Sequence, residues 1–114
     1  MCNHLNCTAL AAANKSYTPL TKSPSGVALL DNKGHVYRGW LIETEEDGLS
    51  LGPLEAALVD FVARGGGDFN SIVQAVLVEM KDVLFSKEET TRMILNKISN
   101  GKCLTNVLLC NISM

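Results

Sequence analysis

One stretch of this chain limits what it can fold into more than any other. Gly52-Pro53-Leu54-Glu55-Ala56-Ala57-Leu58-Val59-Asp60-Phe61-Val62-Ala63-Arg64-Gly65-Gly66-Gly67 carries the punctuation of a helix at both ends. Proline in the first turn lacks only an N–H that would be orphaned there, and glycine after the last turn ends a helix without steric penalty. Leu54, Leu58, Phe61 and Val62 recur at i, i+4, i+7 and i+8, a wide apolar stripe. Ala56, Val59 and Ala63 soften the other side, whose only charges are Glu55, Asp60 and Arg64. A helix this apolar is expected to pack against a sheet, and the rest of the chain is read as what it packs on.

The flanking segments supply that sheet. His4 to Ser16 is alanine-rich and predicts a helix. It stops before Tyr17-Thr18-Pro19, because a residue before proline is pushed out of the helical region. Thr18 to Ser25 is a polar loop, and Gly26 to Leu30 reads as a strand. Asp31-Asn32-Lys33-Gly34 supplies turn formers, so His35 to Glu43 returns as the second strand of a hairpin, with His35 on the surface. Thr44 to Gly48 is an acidic loop whose adjacent carboxylates lack the alternating spacing of a calcium loop. Ile72 to Glu79 is a near-continuous β-branched run, the pattern of a strand buried on both faces. Lys87 to Ile98 predicts an amphipathic helix with Met93, Ile94 and Ile98 inward, Ser86 as its cap and Glu89 completing a capping box. Leu104 to Ile112 is a final strand. A hairpin is antiparallel and helical crossovers join parallel strands, so the expected sheet is mixed and covered on both faces.

Composition narrows the class. The chain of 114 residues suits one domain with a single core, and 46% hydrophobic against 19% charged residues excludes a disordered tail. The formal net charge is −2 and the ten Lys and Arg are scattered, so no basic face for nucleic acid is visible. No apolar run reaches the ~20 residues of a membrane-spanning helix, and no signal peptide is evident. A cytoplasmic location is expected. Cys2, Cys7, Cys103 and Cys110 invite a zinc reading with His4, but their spacings are wider than structural zinc sites favour and Cys110 falls in a predicted strand. Reduced, partly buried thiols are the alternative reading. Without a secretory route, the sequons at Asn6, Asn14 and Asn111 carry no weight.

Several separated blocks agree with a known family in order and spacing. Asn14 to Pro19, Pro24 to Leu29, Tyr37-Arg38-Gly39, Ile42-Glu43 and Ser50 to Arg64 resemble the C-terminal half of the two-half, homodimeric cytidine deaminases of bacteria and plants, the plant form more closely. The resemblance implies the cytidine-deaminase-like α/β/α sandwich. It also implies the family reaction, zinc-dependent hydrolytic deamination of cytidine or deoxycytidine in pyrimidine salvage. In that family the N-terminal half holds zinc, and the C-terminal half repeats its fold without a working site.

The departures indicate which half this is. A zinc deaminase needs His or Cys, then Ala-Glu, at one helix start and Pro-Cys-x-x-Cys at a later one. With Gly48 to Leu51 aligned on the entering loop, the first zinc ligand falls on Gly52, the alanine on Pro53 and the catalytic glutamate on Leu54. Lys81 to Thr91, where the two cysteines belong, contains no Cys, His or Pro. Glu55 is one position late, a turn of about 100° on a helix. Of the family's ribose-holding Asn-Val-Glu, matched here by Leu41-Ile42-Glu43, only Glu43 survives, as a substrate contact or as an exposed strand end. Ser23 stands where the family carries a base-contacting Phe. The expectation is a zinc-free, catalytically inert half that packs against a catalytic half in cis or trans, or forms a homodimer, with Leu51 and Leu54 in an exposed apolar patch. A stand-alone nucleoside-binding or protein-interaction module and a truncated, inactive gene product are the alternatives.

Overall fold

The computed structural model describes residues 4–44, 50–83 and 85–110. Along them run α1 (His4–Ala13), β1 (Ser25–Asp31), β2 (Val36–Trp40), β3 (Ile42–Glu43), β4 (Ser50–Leu51), α2 (Pro53–Ala63), β5 (Ile72–Met80), α3 (Glu88–Ile98) and β6 (Leu104–Cys110). The main sheet has the order β2-β1-β5-β6. β1 is antiparallel to both β2 and β5, whereas β5 and β6, joined through α3, are parallel. The sheet is therefore mixed, as the hairpin and the helical crossover require.

Two cores sandwich it. On one face Leu5, Ala9 and Ala13 of α1 pack on Ala28, Val76 and Val78. On the other, Leu54, Ala57 and Phe61 of α2 and Leu95 of α3 pack on Val27, Leu29, Tyr37, Ile72, Ala75 and Leu77. This is an α/β/α sandwich, and β1 and β5, in its middle, bury residues on both faces. Phe61 meets Tyr37 edge-on, ring centroids 4.9 Å apart, at the centre of the larger core.

Two glycines set how close the helices come. A Cβ on Gly26 would strike the α1 backbone at Ala9 and Ala13. One on Gly39 would strike the α2 backbone, lying 2.7 Å from the Ala56 carbonyl carbon and nearer still to Ala57 N and Pro53 O. Each helix axis is thus drawn in to a distance that no other residue permits. The β1–β2 turn is organised by Asp31, whose Oδ1 accepts from the amides of Lys33 and His35 at 2.9 and 2.8 Å while Oδ2 accepts from the Tyr37 hydroxyl at 3.0 Å. Burial opposes ionisation of this carboxyl, but those donors outweigh it and hold its pKa below the ordinary value.

Several expectations need correction. The second hairpin strand does not run unbroken from His35 to Glu43. It breaks at Leu41, whose amide bonds Ser25 and whose carbonyl accepts from Tyr17, and β3 then pairs with β4 in a separate two-stranded sheet. Val62 and Met93 are exposed (61% and 64%), and the inward positions are taken by Ala57 and Leu95. α3 is not held by a Ser86–Glu89 box: Glu79 of β5 accepts from the Lys87 amide, and Ser86 Oγ accepts from Glu88 N. Cys7 is disulfide-bonded, which departs from four reduced thiols, while Cys103 and Cys110 are free. Glu45 to Gly48 of the acidic loop, Cys2, and Asn111 and Ile112 of the last strand lie outside the described residues. Among the described residues no helix is long and apolar enough to cross a membrane.

Gly39→Ala should destabilise the chain by about 1–3 kcal/mol, since the added methyl forces α2 off β2. Urea unfolding checks this as a lowered midpoint, and an unchanged midpoint would mean that the helix approach is not set at Gly39.

Candidate functional site

The ends of β3 and β5 and the N-termini of α2 and α3 meet at one corner of the sandwich. The sequence explains the meeting. β1 begins there after the 18–24 loop, β5 finishes there, and both crossover helices start from it. A cavity of about 560 Å³ opens between the 20–23 loop, Leu41 and Glu43, and the connection that carries Met80, Asp82, Phe85 and Lys87. A smaller one, about 300 Å³, lies between the two helix starts, lined by Gly52, Leu54, Glu55, Ser86, Thr90 and Thr91. Ser50, Phe85 and Lys87 belong to both.

Glu43 is on the wall of the larger cavity, but its carboxylate is already engaged. It is only 7% exposed, so it is not the open strand end that was one reading of the sequence. Oε1 accepts from the amides of Leu20 and Thr21 at 3.1 and 3.2 Å, and Oε2 from the Thr21 hydroxyl at 2.7 Å. Burial raises its pKa, yet the Thr21 hydroxyl, the two amides and the nearby Lys87 charge outweigh that, and the net shift is downward. Glu43 thus anchors the loop that forms one wall of the cavity. Ser23, on the same loop, faces the cavity and has its hydroxyl on the Thr21 carbonyl at 3.2 Å.

At the smaller cavity, Gly52 precedes α2 in an extended conformation. Its N–H donates to Glu55 Oε2 at 3.1 Å, so the residue one position late in the sequence folds back as a helix cap. A Cβ on Gly52 would collide with that carboxylate. Leu54 is 2% exposed and belongs to the core beneath α2, which removes it from any exposed apolar patch. Leu51, in contrast, is 42% exposed. Among the described residues no three His, Cys, Asp or Glu side chains gather as a metal site would need.

A family model described as "Cytidine and deoxycytidylate deaminase zinc-binding region" matches residues 1–92. The chain belongs to this deaminase family. Similar curated relatives include Cytidine deaminase 6 of Arabidopsis thaliana, 61% identical over 110 residues that make up 96% of this chain and 37% of the relative. Another, Probable inactive cytidine deaminase 4 of the same plant, is 53% identical over 96% of this chain and 43% of its own length. The chain spans little more than a third of Cytidine deaminase 6. Among solved structures, cytidine deaminase from Burkholderia pseudomallei superposes with a TM-score of 0.75 at 26% identity, covering 99% of this chain and 87% of that one. The cytidine-deaminase fold expected from the sequence is the fold observed.

Sequence reasoning missed two site residues. In sequence Glu79 is one more strand position, but it is 1% exposed and reaches the start of α3. A charged residue closing an otherwise apolar β-branched run was the available signal. Phe85, 83% exposed beside both cavities, had no sequence signal at all.

The Glu43 linkage has a definite sign. Its folded pKa lies below the ordinary 4.5, so its contribution is complete above that pH and is lost as pH falls through the folded value. Glu43→Gln should cost about 1–2 kcal/mol at pH 7 and lose less stability than wild type between pH 5 and 3, while Asp31 continues to titrate. Denaturant unfolding against pH measures both, and parallel profiles for the two proteins would refute the assignment.

Proposed function

We propose that this chain is a zinc-free, catalytically inert deaminase half whose task is to pack against a catalytic half, in cis or in trans. The observation that carries the reading is the Glu55 carboxylate on the Gly52 amide. The position that resemblance assigns to the first zinc ligand has no side chain, and the space a side chain would enter is filled by the cap. The donor set around it does not fit zinc. Leu54 is in the core, and the cavity wall at the start of α3 is Ser86, Lys87, Thr90 and Thr91. Among the described residues the one carboxylate lining that cavity, Glu55, is already on the Gly52 amide, so three zinc donors do not converge there. These residues therefore supply neither the metal ligands nor the acid/base of a deamination step. The existence of a relative named as probably inactive, and the small share of Cytidine deaminase 6 that the chain spans, accord with this reading.

A partner face is available on α2. Val59 and Val62 are 62% and 61% exposed, and Val59 also borders a groove shared with Arg38, Trp40 and Ile42. Together with Leu51, these residues offer the apolar surface that a packing half needs. The larger cavity favours a second reading, retained nucleoside binding. Against it, three hydrogen bonds already occupy Glu43, the one surviving ribose-contact position.

Purified chain should release no ammonia from cytidine or deoxycytidine and should retain no stoichiometric zinc after dialysis. Zinc at one per chain by elemental analysis, or deamination above a metal-replete blank, would overturn the reading.

The partner face predicts a separable effect. Val59→Lys and Val62→Lys should weaken self-association, or association with a catalytic half, while shifting unfolding by no more than about 0.5 kcal/mol. Sedimentation velocity reads the first and denaturant unfolding the second. Association that is unchanged in both variants would place the contact elsewhere.

A further inference from the structure

The misfit to zinc raises the question of what holds the corner together. In a deaminase that carries the metal, ligands from two helix starts converge on one ion, and the ion therefore ties those starts to each other. Here each start is held by a carboxylate instead. Glu55 closes back on the Gly52 amide at the head of α2. Glu79, the penultimate residue of β5, reaches across the connection to α3: Oε1 accepts from the Ser86 hydroxyl at 2.6 Å and Oε2 from the Lys87 amide at 2.7 Å. Both bonds are short, as charge-assisted bonds are, and the negative group lies at the positive end of a helix dipole. Burying a carboxylate to 1% exposure is costly unless such donors compensate it. Ser86 Oγ, polarised by Glu79, also accepts from Glu88 N at 3.1 Å and extends the tie into the first turn.

We propose that, where the metal would tie the two helix starts to each other, Glu79 instead anchors the start of α3 to the sheet and Glu55 closes the head of α2 on itself. The proposal rests on the zinc-free reading above. The geometry also couples Gly52 to Glu55. A side chain there displaces the Glu55 carboxylate, so a restored ligand would arrive at the expense of the cap that replaced it. The two positions are coupled, and neither can be altered as if the other were absent.

Amide hydrogen exchange on the 114-residue chain tests the tie, with zinc measured on the same sample. In Glu79→Ala the amides of Lys87 and Glu88 should exchange about tenfold faster than in wild type, the loss expected when a cap is removed. Ser86→Ala, at an exposed position, keeps the test open if Glu79→Ala fails to fold and should speed the Lys87 amide in the same direction. A chelator should leave the wild-type amides unchanged. For α2, Gly52→Ala should lower the unfolding midpoint more in wild type than in a Glu55→Ala background, where no carboxylate meets the new methyl. In a zinc-free sample, unchanged Lys87 exchange in the folded Glu79 and Ser86 variants would overturn the tie at α3, and additive Gly52 and Glu55 effects the coupling at α2. Stoichiometric zinc together with chelator-sensitive exchange would instead overturn the zinc-free reading itself.

Discussion

The approach of α2 to β2 across Gly39 is the constraint on which the rest of the structure depends. Because no Cβ intervenes, the helix backbone settles directly on the strand, with Ala57 and Phe61 against Tyr37. That distance fixes where the helix begins, and with it the corner shared by Gly52, Glu55 and the start of α3. On the opposite face Gly26 admits α1 by the same means. The sandwich is thin because glycine lies at both contacts, and small side chains at Ala9, Ala13 and Ala57 keep it so.

At the corner, carboxylates hold loops and helix starts through backbone amides. Glu43 accepts from the amides of Leu20 and Thr21, Glu55 from that of Gly52, and Glu79 from that of Lys87. Each turns its charge towards backbone N–H groups that the ends of helices and loops leave without partners. A negative group in such a position orders its surroundings, but its lone pairs are then largely committed. The corner keeps a cavity and its charges, and the charges are directed at the protein itself.

The exposed apolar face follows from a different part of the same helix. The apolar positions of α2 exceed what the sheet can cover, so Leu54, Ala57 and Phe61 turn inward and Val59 and Val62 are left outside. A periodicity count places Val62 in the buried stripe because Leu54, Leu58 and Phe61 point that way. The sheet ends before it reaches that far around the helix, and Ala57, short enough to lie against Gly39, takes the inward place.

Local physics determined much of this protein from sequence. Pro53 and the glycines at 65–67 punctuate α2, the turn residues at 31–34 close the hairpin, and the β-branched run from Ile72 becomes the strand buried between two neighbours. That Gly52 and Lys81 to Thr91 carry no Cys or His is equally legible, because it is a matter of residue type. Tertiary structure alone decided the break at Leu41, where the chain leaves one sheet to form a bridge beside Tyr17. It also decided that Glu43 would be an anchor, on amides 22 and 23 residues away, whereas Glu55 caps its own helix three residues back and Glu79 reaches no more than eight residues along the chain. What the Glu43 carboxylate does depends on which unpaired amides the fold brings within about 3 Å of it, and that distance is set by packing between segments far apart in the chain.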